Sequence, residues 1–218
     1  VLIYGLMKFV EQAPFHYEKF MNIISLGRYG RSLEKLIEQV SVGDSVLDVG
    51  CGSGKVALGC AKKGAQVVAL DSSIQMLDIL RSRAKKQSLS SNIKIVNAGS
   101  ASMDKVLNGE KFDVIIASLM LGELIDDLRF RTLMQMRDHL KDKGFILIND
   151  ELWPDVKIKA FFYNLLFCIS FIPNFLFTRT VIRPVKNLPD DLAKLNLKID
   201  EKKNMGGGIV FLKVSKRP

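Results

Sequence analysis

Three features of the sequence predict an α/β fold with a doubly wound, mostly parallel sheet. Short apolar runs alternate with helical stretches for about a hundred residues. A glycine-rich turn follows the first run. Acidic or small polar residues then stand at the ends of later runs, where open α/β sheets collect ligands.

The elements follow in order. Residues 1–42 read as a helical cap, with Phe20, Ile23 and Ile24, then Leu33, Leu36, Ile37 and Val40, at helical spacing. Ser32 before "LEKLIEQV" is the expected N-cap. Residues 43–150 form the core. Its strands are "SVLDV" (45–49), "QVVAL" (66–70), "IKIV" (93–96), "FDVIIA" (112–117) and "FILIN" (145–149). Between them lie the helical stretches "GKVALGCAKKG", "SIQMLDILRSRAKKQ" and "RFRTLMQMRDHLKDKG", with Gly64 and Gly144 at helix C-terminal caps. Residues 151–190 read as an inserted helical lid. Residues 191–218 read as two antiparallel strands around a Gly-bearing turn, which makes seven strands.

Composition narrows the class. The chain has 218 residues, 48% of them hydrophobic and 25% charged, which suits one packed domain and argues against disorder. Cys51, Cys60 and Cys168 lack metal spacing and leave one unpaired, which favours a reducing compartment. No N-terminal segment has the layout of a signal peptide, and the absent initiator Met suggests a trimmed or partial chain. The expected location is the cytoplasm. A net charge of +9 admits nucleic acid, an anionic membrane or an acidic substrate as partner. The basic residues are spread out and no nucleic-acid motif is present, so nucleic acid is not expected.

The turn "SVLDVGCGSGKVA" (45–57) offers three ligand classes. A P-loop needs a glycine five residues before Gly54 and a hydroxyl after Lys55, but Val49 and Val56 stand there. A dinucleotide fingerprint is satisfied from Gly52 through Gly54 to Ala57, so that rival stays open. The whole word from Asp48 to Gly54 is D-x-G-x-G-x-G. Alternate glycines let the backbone pass close to a flat ligand, and the next helix offers N–H groups to a carboxylate. Asp71, after the second strand, can accept two ribose hydroxyls, in bonds of about 1.5–3 kcal/mol each. Its other reading is a helix N-cap, a job that Ser72 could also do.

This word resembles motif I of class I S-adenosylmethionine-dependent methyltransferases. The resemblance implies a Rossmann-like seven-stranded sheet, S-adenosylmethionine as cofactor and S-adenosylhomocysteine as product. "NAGSASM" (97–103) then corresponds to the adenine region, with Ser100 by the amino group and the Ala101 N–H by a ring nitrogen. Ser118 falls where the reacting methyl is framed. The implied cofactor set is Asp48, Gly50, Cys51, Gly52, Ser53, Asp71, Ser72, Met76, Ser100, Ala101 and Ser118.

A narrower resemblance is to the ubiquinone/menaquinone-biosynthesis C-methyltransferases. "YEKFMNIISLGRYGR" (17–31) resembles their N-terminal signature, and "NMGGGIVFLKVSKR" (204–217) resembles their closing strand. That family carries an Arg-Asn pair after the fourth strand, where this chain has Gly122-Glu123.

Methyl transfer from a sulfonium is an in-line displacement, so the protein mostly positions the acceptor and removes a proton from it. Glu123 is the first candidate base, with His16 and Tyr17 behind it. Glu123 could equally be a solvated acid at the start of the next helix, and His139 suits a helix C-terminus. No metal site is expected.

"AFFYNLLFCISFIPNFLF" (160–177) is an apolar insert flanked by Lys157, Lys159, Arg179 and Arg183. As a helix it would span roughly 27 Å, near the bilayer's hydrocarbon thickness of about 30 Å, but Asn164, Pro173 and Asn174 interrupt it. A lid over an apolar pocket, which could also dip into the membrane at its inner face, fits better than a span. The expected substrate is small and lipophilic: quinone-like, a phospholipid or another hydrophobic metabolite. The rivals of other classes are an NAD(P)-dependent oxidoreductase and a cofactor-binding protein without turnover.

Overall fold

The computed structural model describes residues 27–153, 184–206 and 208–217. The expectations for residues 1–26, His16 and Tyr17 among them, and for the 160–177 insert lie outside the described residues. In chain order the elements are α1 (Arg28–Glu38), β1 (Ser45–Val49), α2 (Lys55–Lys62), β2 (Gln66–Asp71), α3 (Ile74–Lys86), β3 (Ile93–Asn97), α4 (Met103–Leu107), β4 (Phe112–Ser118), α5 (Asp126–Asp138), β5 (Leu140–Glu151), α6 (Leu188–Lys194), β6 (Leu197–Gly206) and β7 (Ile209–Lys216). Short 3-10 turns occupy Ser100–Ser102 and Leu121–Glu123.

The strands form one seven-stranded sheet in the order β3-β2-β1-β4-β5-β7-β6. Strands β1 to β5 pair in parallel, and β7 runs antiparallel to both β5 and β6. The expected sheet, mostly parallel with one antiparallel strand, is the observed one. Strand order reverses between β1 and β4, and open sheets take ligands at such a switch point.

The apolar runs are continuous because helices cover both faces. Val46, Val67, Ala69, Val114, Ile116 and Leu147 pack on one face with α1, α2 and α3. Leu47, Val49, Val68, Leu70, Ile115, Ala117 and Ile146 pack on the other with α4, α5 and α6. Neighbours along each strand point to opposite faces, as the period of two requires.

Five local expectations are corrected. Ser32 is not an N-cap: α1 starts at Arg28 behind Gly27 (φ 74°), and the Ser32 hydroxyl donates to the Tyr29 carbonyl at 2.8 Å. The N-cap of α3 is neither Asp71 nor Ser72 but Ser73, whose Oγ accepts from the Met76 N–H. The helix expected over 129–144 spans 126–138, with Asp126 and Asp127 in its first turn suiting the helix dipole. Leu140 is fully buried and pairs with Phe112, so the strand starts five residues earlier than expected. Gly144 therefore lies inside β5 rather than at a cap. A Cβ there would sit 2.7 Å from the Asp113 carbonyl, beside the register slip between Phe112 and Val114.

At the amino end of the sheet, Asp113 accepts from Ser45 Oγ at 2.6 Å and Lys141 Nζ at 2.8 Å, which ties β4 to β1. At the far edge, β6 carries Lys198, Lys202 and Lys203 and slips register twice against β7.

Candidate functional site

A cleft of about 860 Å³ opens over the carboxyl ends of β1, β2 and β4. The turn from β1 to α2 makes its floor. Gly50, Gly52 and Gly54 all have positive φ, at 67°, 51° and 84°. They serve different ends. A Cβ on Gly50 would meet Met120 Cβ at 2.9 Å, and one on Gly54 would meet Leu80 Cδ1 at 2.1 Å. Only at Gly52 would a Cβ enter open space. Two of the three glycines are thus demanded by the protein's own packing, and one lies open to a ligand.

Asp71 organises this floor. Its Oδ2 accepts the Gly52 N–H and its Oδ1 the Ser73 N–H, both at 2.8 Å. One carboxylate ties the turn to the start of α3. It offers about four lone-pair sites, so two such bonds leave room for donors from the cleft. Ser53 is held from behind by Arg83 Nη1 at 3.2 Å.

Asp48 is the fourth of the five residues of β1, 1% exposed, and still lines the cleft. Its Oδ2 is buried with no hydrogen-bond partner. Burial first, then the nearby Asp71, push its carboxyl up to about 7, although the Ala57 N–H pulls the other way. Such a group is short of a cation.

The third wall is the Ser100–Ser102 turn. The Ser100 and Thr132 hydroxyls lie 2.9 Å apart, and Gln135 Nε2 donates to the Ala101 carbonyl at 2.8 Å. The fourth wall follows β4. Ser118 ends the strand, and Leu119 adopts φ 52°, a left-handed conformation that costs a branched residue about 1–2 kcal/mol. Its N–H donates to the Asn149 carbonyl at 2.7 Å, and the Leu121 N–H donates to Asp150 Oδ2 at 2.8 Å. Asn149 Nδ2 bridges to Ser32 Oγ at 3.1 Å and Ser118 Oγ at 3.4 Å.

All eleven residues expected around the cofactor line this cleft, and so does Glu123. Glu123 closes the Leu121–Glu123 turn, three residues ahead of α5, and is not in the first turn of that helix. His139 lies at the C-cap of α5, away from the cleft, between the Glu110 carbonyl and Asp104. Lining or supporting residues that the sequence reading missed include Tyr29, Lys55, Thr132, Gln135 and Asn149. Lys55 Nζ stands 5.4 Å from the Tyr29 ring centre, and both line the cleft. Thr132 and Gln135 could have been found as polar residues three apart on the buried stripe of a helix.

Among the described residues no cluster of His, Cys, Asp or Glu could hold a metal. Among the same residues no helix is long and apolar enough to cross a membrane.

Comparison with known proteins agrees with this architecture. Residues 46–144 match the family model of a methyltransferase domain. A ubiquinone biosynthesis O-methyltransferase of Histophilus somni is 33% identical over 105 residues, 48% of this chain and 43% of that protein. A demethylmenaquinone methyltransferase of Lactobacillus johnsonii is 30% identical over 123 residues, 54% of this chain and 49% of that protein. The chain thus spans about half the length of the curated relatives it matches. Among solved structures, the 1,6-didemethyltoxoflavin-N1-methyltransferase of Burkholderia thailandensis, with its substrate and S-adenosylhomocysteine bound, superposes with a TM-score of 0.69. It is 12% identical, and the match covers 99% of this chain and 89% of that one. At that identity the likeness is one of fold, and the fold is that of class I methyltransferases.

Proposed function

We propose that this chain, built on a class I methyltransferase fold, transfers the methyl group of S-adenosylmethionine to a small lipophilic acceptor. The observation that carries the reading is the pairing of Asp48 and Asp71 on one cleft. Asp48 offers a buried, unpartnered oxygen suited to an ammonium group. Asp71 sits at the mouth of β2 with lone pairs left for a sugar diol. Gly52 leaves open space between them. A nucleoside bearing an amino acid has all the groups that this arrangement asks for.

When bound, S-adenosylmethionine supplies an activated methyl on a sulfonium. The chain's share of the work is to bind, orient and handle one proton. Gly50 to Ser53 and the start of α2 would hold the amino-acid end, Asp71 the ribose, and Ser100 and Ala101 the adenine. Ser118, Leu119, Met120 and Glu123 would face the acceptor. Glu123 is the acid in that wall that could take the acceptor's proton. Orientation of this kind can contribute about 7–11 kcal/mol to the rate.

The lipophilic acceptor is supported by the apolar composition of residues 160–177 and by the quinone-pathway names of the two curated relatives. A membrane-side acceptor would also suit the basic residues that flank that segment. The test is incubation with labelled S-adenosylmethionine and a cell lipid extract, followed by identification of the labelled product. Label found only in a water-soluble fraction would move the acceptor to another class. Calorimetry with S-adenosylmethionine against NAD separates this reading from the dinucleotide one, which the Gly52–Ala57 spacing keeps in play.

A further inference from the structure

We infer that Thr132 sets the base specificity of the nucleoside subsite by fixing the direction in which the Ser100 hydroxyl points its proton. The inference rests on the reading of the cleft as an S-adenosylmethionine site and concerns a residue that does not line it.

The direction of these hydrogen bonds follows from the number of protons available. A threonine hydroxyl has one hydrogen, and a backbone carbonyl has none. Thr132 Oγ1 lies 2.9 Å from the Leu128 carbonyl, one helical turn back in α5. The carbonyl can only accept, so Thr132 spends its hydrogen there. Thr132 Oγ1 also lies 2.9 Å from Ser100 Oγ. With the threonine hydrogen committed, Ser100 must be the donor in that pair. Ser100 then has no hydrogen left for the cleft. It shows only lone pairs there.

Both hydroxyls are buried, Thr132 fully and Ser100 to 9% exposure, so water does little to reorient them. The same helix pins the neighbouring residue, through Gln135 Nε2 on the Ala101 carbonyl at 2.8 Å. Two side chains of α5 three residues apart thus fix both the position and the polarity of the Ser100–Ser102 turn. A base edge facing Ser100 must bring a donor. The 6-amino group of adenine does. The 6-oxo group of hypoxanthine would set lone pair against lone pair. Thr132 is therefore a positioning residue that acts through Ser100.

The test compares the binding of S-adenosylhomocysteine and S-inosylhomocysteine by calorimetry, with the ratio of the two affinities as the readout. A general loss of affinity leaves that ratio untouched. The unmodified chain should prefer the adenosyl compound on the order of 100-fold, the scale on which a buried polar mismatch is felt. Thr132→Val removes the acceptor, frees the Ser100 hydroxyl to rotate and should bring the ratio to within a few-fold of one. Thr132→Ser keeps the relay and should keep the ratio. A wild-type ratio in Thr132→Val overturns the inference while leaving the cofactor site standing. An unmodified chain that binds neither compound overturns the cofactor reading, and this inference falls with it. Should Thr132→Val fail to fold, Ser100→Ala carries the test: the ratio should collapse, and a ratio that stays high overturns the inference.

Discussion

The two sides of the cleft are built differently. On the β1–β2 side, one continuous word and one carboxylate do the work: Gly50, Gly52 and Gly54 shape the turn, and Asp71 ties it to α3. On the β4–β5 side, the wall is assembled from residues far apart in the chain. Ser32, Ser118 and Asn149 come from three elements, and a strained Leu119 is held by the Asn149 carbonyl. The first side is a local device that one ligand shape can use repeatedly. The second is a tertiary one, held by contacts between distant parts of the chain. On the proposed reading, the first side holds the nucleoside and the second faces the acceptor.

That division can be broken most sharply at Glu123. Glu123→Gln should lower kcat by about 10²–10⁴-fold and leave cofactor affinity as it was, because a general base acts only in the transition state. Equal losses in both would put Glu123 on the nucleoside side instead. The reverse pattern belongs to Asp71. Asp71→Ala should weaken S-adenosylhomocysteine binding by roughly 100-fold, through lost ribose bonds and a loosened Gly52 turn. An affinity within a few-fold of the original would separate residue 71 from the ligand.

The glycines sharpen the comparison within the first side. Gly54→Ala forces a Cβ into Leu80 and should cost about 2–4 kcal/mol of stability. Gly52→Ala meets only backbone strain, about 1–2 kcal/mol, and should harm binding more than folding. Thermal denaturation and ligand titration of the two variants should rank them in opposite order.

The smallest effect is a pH dependence. Asp48 has its carboxyl raised in the folded chain from 3.8 to about 7. Its contribution to stability is therefore greatest below pH 4 and declines as pH rises towards 7, because the unfolded chain gives up that proton first. A cationic ligand favours the ionised form, so its affinity should rise up to about pH 7 and level off above. Binding should release a proton near neutrality. Asp48→Asn should flatten both profiles, and buffer-dependent calorimetry would reveal whether the proton is released.

The same division explains what could be read from residues alone. The strand runs were legible because a sheet covered on both faces leaves unbroken apolar stretches. Asp71 and the glycine word were legible because alternate glycines after one strand and an acid closing the next form a pattern within a short stretch of sequence. Thr132, Gln135 and Asn149 were not. Each is polar on a buried face, and its partner lies 32 to 117 residues away. Gly144 was misplaced because a strand-to-strand approach and a helix cap ask for the same residue. The end of α5 was misjudged because Lys141 and Lys143 continue a helical pattern, while the buried Leu140 had already joined the sheet.

The border of the sheet has a consequence of its own. Its last strand, β6, shows solvent three lysines and two breaks in register. Another chain trying to zip on there would meet a charged edge and a misaligned row of amides. That rim should keep crowded copies from joining their sheets edge to edge.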